Sequence, residues 1–262
     1  MKEYAEQLKK LVDEAGNILI IAHRNPDADT LGSAICLKIW LKSIGKTVTF
    51  ACIDKPSPVF NFLPDLDELV HEFSIKDYDL IIIVDAGASY MTNFHLKYEN
   101  FFSSGVPMIN IDHHASNDLF GQLNIVDPKA ASTTVLVYRL MKFLGVTLDD
   151  KMSTALLAGI YGDTGGFMHS NTSKEVFDIS AELMRACANV KSIIFFLFKN
   201  RPISMLRLWG RVLENVHVTN ENVVVSVVKE EDYDDVASGP EQLSGIVDYL
   251  NMVPNSKFAV LL

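Results

Sequence analysis

Residues 80–84, Leu-Ile-Ile-Ile-Val, are apolar at every position. A strand with one wet face alternates apolar and polar side chains, so an unbroken apolar run of this length belongs in a sheet buried on both faces. Such sheets are parallel and helix-covered, because parallel neighbours need long crossover connections. The run lies within "YDLIIIVDAG" (78–87), and three more share its character: "NILIIA" (17–22), "KTVTFACI" (46–53) and "VPMINIDHH" (106–114). Helical patterns fall before and between them, over about 3–15 and then about 29–44, where Leu31, Ile35, Ile39 and Trp40 recur at helical spacing. Later helices are expected over about 132–144, behind Ser132 or Thr133 as cap, about 149–162, and about 173–187, behind Thr172 or Ser173. The expected class is α/β, a mainly parallel sheet flanked by helices. From about residue 216 two β-rich runs surround Asn-Glu-Asn, which predicts a hairpin in a second, smaller α/β domain. The expected layout is a main domain over 1–188, a helical connector over 189–215 and the small domain over 216–262.

With 262 residues, 48% of them hydrophobic, the chain can bury a large core. Its longest apolar runs, such as "IIFFLF" (193–198), fall far short of the roughly 20 residues a membrane span needs. The N-terminal "MKEYAEQLKKLVDEAG" is charged and lacks the apolar core of a signal peptide, so a cytoplasmic protein without a membrane association is expected. Cys36, Cys52 and Cys187 show no CxxC spacing and sit among apolar neighbours, which predicts three buried free thiols.

The chemistry gathers in four segments: "HRNPDAD" (23–29), "VDAG" (84–87), "DHH" (112–114) and "GIYGDTGGF" (159–167). In open α/β sheets ligands bind beyond the carboxyl ends of the strands, so the ends of the first, third and fourth runs should converge. Singly, each segment has a bland reading: Asp29 as a helix N-cap, Asp85 as a loop cap, Asp163 as the start of a turn. Jointly, Asp27, Asp29, Asp85, Asp112 and Asp163 with His23, His113 and His114 suit two divalent cations bridged by a shared carboxylate. These aspartates supply five units of a net charge of −10, and two divalent cations would return four. The acidic balance therefore argues against gripping long nucleic acids but not against a small phosphate substrate. Arg24 and His169 are candidate substrate contacts, each with a plain surface reading beside it. Ser132, Thr133 and Thr134 open a helix whose N-terminus could also meet a phosphate. His71, His95 and His217 read as surface or packing residues, and Trp40 and Trp209 as core.

In this order the four motifs resemble the DHH phosphoesterase superfamily, which includes RecJ-like exonucleases, type II inorganic pyrophosphatases and small oligoribonucleases. The resemblance covers roughly residues 1–187, and "NPDADTLGS" and "AASTT" are most similar to its bifunctional oligoribonuclease and 3′-phosphoadenosine 5′-phosphate (pAp) phosphatase group. It implies one metal held by His23, Asp27 and Asp85 and a second held by Asp29, Asp85, His113 and Asp163, with Asp85 bridging. It also implies Asp112 orienting a histidine, His114 facing the scissile phosphate, and Mn²⁺ as the ion, with Mg²⁺, Co²⁺ and Zn²⁺ as alternatives. The function so implied is hydrolysis of short oligonucleotides or pAp by a water activated between two metals. A pyrophosphatase, a RecJ-like exonuclease and a non-catalytic nucleotide-binding module are the competing readings. A short nucleotide substrate is the expected partner, long duplexes are not, and a homodimer is left open.

One departure accompanies the resemblance. The superfamily's C-terminal domain carries a Gly-rich "GGGH" segment and basic residues, whereas this sequence ends at "SKFAVLL" (256–262). Residues 201–262 resemble the first half of that domain. An intact metal core with a curtailed nucleotide-binding domain is expected, whether the sequence is partial or the domain is reduced.

Overall fold

The computed structural model describes residues 1–236, 239–243 and 245–262, which fall into two compact units, residues 1–198 and 199–262. In the first, α1 (Lys2–Glu14) leads to β1 (Asn17–Ala22), α2 (Ala28–Ser43) and β2 (Thr47–Ala51). Then follow β3 (Leu80–Val84), the single turn α3 (Phe94–Lys97), β4 (Met108–Asp112) and β5 (Leu123–Val126). Helices α4 (Thr133–Phe143), α5 (Asp150–Asp163), α6 (Lys174–Arg185) and α7 (Val190–Ile194) complete the unit.

The five strands form one sheet in the order β2-β1-β3-β4-β5, and every neighbouring pair is parallel. Period-two alternation splits the apolar runs between its faces. Ile18, Ile20, Ala22, Ile82 and Val84 join the core with Leu8, Ile35, Leu136 and Leu156 of the covering helices. Leu19, Ile21, Ile81 and Ile83 face the other way, onto Phe94 and Phe101. That second face is closed by aromatic packing rather than by long helices; Phe73 sits with its ring 4.8 Å from those of Phe94 and Tyr98. All five residues of β3 are buried, as an unbroken apolar run requires. Since β1 lies between β2 and β3, the connections leaving β1 and β3 diverge, and a crevice opens at their carboxyl ends.

Helix α2 is buried from Ala28 to Leu41 except at Ile39. Even Lys38 is covered, its ammonium held by Glu68 at 2.8 Å and by the Asp65 carbonyl. Such burial demands close approach to α5. A Cβ on Gly32 would stand 2.2 Å from the Ala155 backbone oxygen. In an exposed helix Gly→Ala stabilises by about 1 kcal/mol. At Gly32 the sign should reverse, with Gly32→Ala destabilising by about 1–3 kcal/mol through overpacking. Urea unfolding measures this, and a midpoint at or above that of the parent would show that α2 and α5 do not touch here.

In the second unit α8 (Ile203–Glu214), β6 (His217–Val218), β7 (Val223–Ser226), α9 (Glu230–Asp234), α10 (Ile246–Leu250) and β8 (Phe258–Leu261) surround a core of Val212, Val224, Ile246 and Leu250. β6 and β7 form the expected hairpin, turning through Asn222 at φ 62°, and β8 adds in parallel to β7. Trp209 is half-buried here, its indole N–H donating to the Gln242 carbonyl.

Two expectations need correction. Strand β5 was not anticipated: it is four residues long, polar at Asn124, and lies at the sheet edge, so its pattern is weak. Cys36 and Cys52 are buried, but Cys187 is exposed, because the chain there takes a left-handed turn (φ 66°) just past α6. Among the described residues no helix is long and apolar enough to cross a membrane.

Candidate metal centre

β1 delivers His23 and, after a short loop, Asp27 and Asp29 at the start of α2. The cap of α2 is Asp27, whose Oδ1 accepts from the backbone N–H groups of Asp29 and Thr30 at 2.9 and 3.0 Å. Asp29 is therefore free of capping, and it is fully buried. Its two oxygens accept from the N–H groups of Thr133 and Thr134, at 2.6 and 2.9 Å, and from the Thr134 hydroxyl. The N-terminus of α4, with its partial positive charge, thus solvates a carboxylate of the protein itself. This corrects the expected phosphate contact of Ser132 and Thr133. Both are wholly buried; Ser132 Oγ caps α4 by accepting from Val135 N–H, and Thr133 Oγ1 donates to Asp85 Oδ1 at 2.8 Å.

Asp85 follows β3 in the left-handed region, φ 57°, which costs a non-glycine residue energy and which Asp tolerates better than most. Its N–H donates to the Ile111 carbonyl, and its carboxylate is buried. The two oxygens face different histidines: Oδ2 lies 3.5 Å from His23 Nε2, and Oδ1 lies 3.7 Å from His113 Nε2. His23 Nε2 is also 3.8 Å from Asp27, and His113 Nε2 is 3.2 Å from Asp163 and 4.0 Å from Asp29. His23 Nδ1 lies 2.6 Å from the Arg24 carbonyl, so Nδ1 carries a proton and Nε2 is the nitrogen that faces the carboxylates.

His114 is held the other way round. Its Nδ1 lies 2.7 Å from Asp112 Oδ1, which leaves Nε2 on the outer edge of a ring that is 41% exposed. Asp112 is buried and accepts from Asn117 as well. Asp163 sits at the end of α5, where the chain needs Gly159: a Cβ there would come within 2.8 Å of both Asp29 and the Thr134 hydroxyl. Arg24 and His169 are exposed; His169 Nδ1 lies 3.1 Å from the Asp163 carbonyl, not its carboxylate. Neither joins a ligand cluster among the described residues. Three clusters could hold a metal, with ligand atoms within 4.8 Å of one another: His23–Asp27–Asp85, Asp29–His113–Asp163 and Asp85–His113–His114. Asn117 carries no signal in the sequence beyond its place three residues past "DHH".

The electrostatics test whether cations fit. Burial, and then the charge of Asp29, push the Asp85 carboxyl well above the usual range and carry Asp163 up to about 7. Burial pulls the His23 imidazole down, but its hydrogen bonds to Asp27 and Asp85 outweigh this and hold it at about 11. His113 is likewise lowered by burial and raised by Asp163, Asp29 and Asp85, to about 10. Four carboxylates thus share a pocket in which the ion pairs come from His23 and His113, with His114 Nδ1 at 3.8 Å from Asp85 Oδ1 beside them. Negative charge so placed is costly without further positive charge. Divalent cations would supply it and displace the protons, and mixed imidazole and carboxylate donors are of the type that binds Mn²⁺ and its neighbours. Asp112 behaves oppositely: burial raises it, but hydrogen bonds from His114 and Asn117 hold it below the usual range, an ionised acceptor.

The model of the DHH family, N-terminal domain, matches residues 17–160. The bifunctional oligoribonuclease and PAP phosphatase NrnA of Thermus thermophilus is 31% identical over the whole chain, which spans 76% of that relative. The Bacillus subtilis protein of the same name is 26% identical over 91% of the chain and 76% of its own length. In fold, an exopolyphosphatase-related protein from Bacteroides fragilis superposes with a TM-score of 0.89 at 23% identity, covering 97% of this chain and 78% of the other. With more than half its residues matched by the family model and a relative of 31% identity along its full length, the chain belongs to the DHH family.

Proposed function

We propose that this chain hydrolyses short oligonucleotides and pAp with the help of two divalent cations, Mn²⁺ foremost. It is a phosphoester hydrolase, as its family and the named relatives are. The observation that carries the two-cation reading is Asp85, whose Oδ1 and Oδ2 face His113 and His23 respectively. One cation would be held by His23, Asp27 and Asp85, the other by Asp29, Asp85, His113 and Asp163. Bound there, they would supply Lewis-acid charge that makes water a nucleophile near neutral pH and offsets charge building on the phosphate.

The protein's own groups do the rest. Thr133 and the α4 N-terminus fix Asp85 and Asp29, so no reorganisation is needed when charge develops. When it carries a second proton, the outer Nε2 of His114 can bind a phosphoryl oxygen or give that proton to the departing alkoxide, with ionised Asp112 steadying the ring. A net charge of −10 argues against the basic track that long strands need, which favours short substrates over a RecJ-like reading.

A substrate panel with Mn²⁺ tests the assignment, comparing dinucleotides, longer RNA, cyclic dinucleotides, pAp and pyrophosphate. Turnover of dinucleotides and pAp is expected to exceed that of longer RNA and pyrophosphate by on the order of tenfold or more in kcat/KM, about 1.4 kcal/mol. Preference for pyrophosphate, with nucleotides untouched, would overturn the substrate assignment.

A further inference from the structure

Between Ile109 and Ile111, strand β4 carries a fully buried polar residue, Asn110. Its Nδ2 donates to Asn117 Oδ1 at 2.8 Å and to Asn124 Oδ1 at 3.2 Å. Its own Oδ1 has no hydrogen-bond partner among the described residues. A buried amide with an unmatched acceptor stabilises a sheet less than an apolar residue of similar size, so packing does not account for Asn110.

Asn117 is the centre of this network. Its Nδ2 donates to Asp112 Oδ2 at 2.6 Å and to the Ala86 carbonyl at 3.0 Å, while its Oδ1 accepts from Asn110 and from the Leu119 N–H. Turned over, the amide would set oxygen against a carboxylate and a carbonyl, and NH₂ against two donors; the four contacts leave one orientation. Ala86 follows Asp85 and Asp112 precedes His113, so the same amide ties the end of β3 to the end of β4. Beyond it, the other oxygen of Asp112 meets His114 Nδ1.

We propose that Asn117, itself oriented by Asn110, is a positioning residue that keeps Asp112 a pure acceptor and thereby keeps a proton of His114 on Nδ1, so that Nε2 is the nitrogen presented to the reacting phosphate. The inference rests on the phosphoesterase reading above. Asn117→Asp and Asn117→Ala separate it from a packing role. As a mere filler of space, Asn117 would tolerate isosteric Asp better than Ala. As an oriented donor it would tolerate Asp worse, because a second carboxylate would face Asp112.

With a dinucleotide and saturating Mn²⁺, Asn117→Asp should lower kcat by about tenfold or more, further than Asn117→Ala, the scale usual for partners behind a site. KM and Mn²⁺ affinity should stay within about threefold. In the metal-free protein at one fixed alkaline pH, ring ¹⁵N shifts should show Nδ1 protonated and Nε2 bare in the parent, and loss of that pattern in Asn117→Asp. An unchanged ring pattern, a milder loss in Asp than in Ala, or a loss expressed as Mn²⁺ affinity would overturn the proposal. A parent inactive on every phosphoester would count against the functional reading instead, and the ring nitrogens would still decide this one.

Discussion

Asp85→Asn is expected to lower kcat by on the order of 10³-fold or more, about 4 kcal/mol, while leaving the protein folded. Each carboxylate oxygen of Asp85 faces a different imidazole, so an amide at this position weakens both proposed cation sites together. No other carboxylate of the site stands between His23 and His113 in this way. The fold has reason to survive. Asparagine keeps the shape, tolerates the left-handed backbone at φ 57°, and removes a buried charge that burial and Asp29 already oppose. Thermal unfolding of the metal-free variant should therefore occur at or above the parent temperature. Activity near that of the parent at saturating Mn²⁺ would remove Asp85 from the centre of the mechanism.

The second large effect separates the paired histidines. His113 points Nε2 at Asp163, Asp85 and Asp29, so His113→Ala should weaken Mn²⁺ binding by on the order of 10–100-fold or more. His114 is anchored at Nδ1 by Asp112 and half-exposed, so His114→Ala should leave Mn²⁺ binding within a fewfold. It should instead reduce kcat by on the order of 10²–10⁴-fold, the range for loss of a positioned acid. Calorimetric Mn²⁺ titration beside steady-state kinetics gives both readouts. Equal loss of metal binding in the two variants would mean that both rings are ligands, as the grouping of Asp85, His113 and His114 allows geometrically.

Much of the frame was legible because it obeys short-range rules. Strand β1 and helices α2, α4 and α5 lie within a residue or two of where period and caps put them, and the four motifs meet where parallel sheets bind ligands. What escaped depended on contacts across the chain. Asp27 and Asp29 are equally good caps on paper; only the meeting of α2 and α4 assigns the cap to one and a set of threonine donors to the other. For the same reason Ser132 and Thr133 read as phosphate contacts, although Asp29 and Asp85 already occupy the donors of Thr133, and the Ser132 hydroxyl is engaged by Thr134 and Val135. Cys187 among alanines looked buried until a left-handed turn carried it outward. Asn117 was invisible, since an amide is neither a metal ligand nor a base, and its importance lies wholly in which atoms it faces.

The most direct measurement is the electron paramagnetic resonance spectrum of the chain titrated with Mn²⁺. A carboxylate shared between two ions predicts two Mn²⁺ per chain with an exchange-coupled signal, reduced to weak, uncoupled binding in Asp85→Asn. Saturation at one Mn²⁺ per chain, with the six-line spectrum of an isolated ion in the parent, would contradict the two-cation centre.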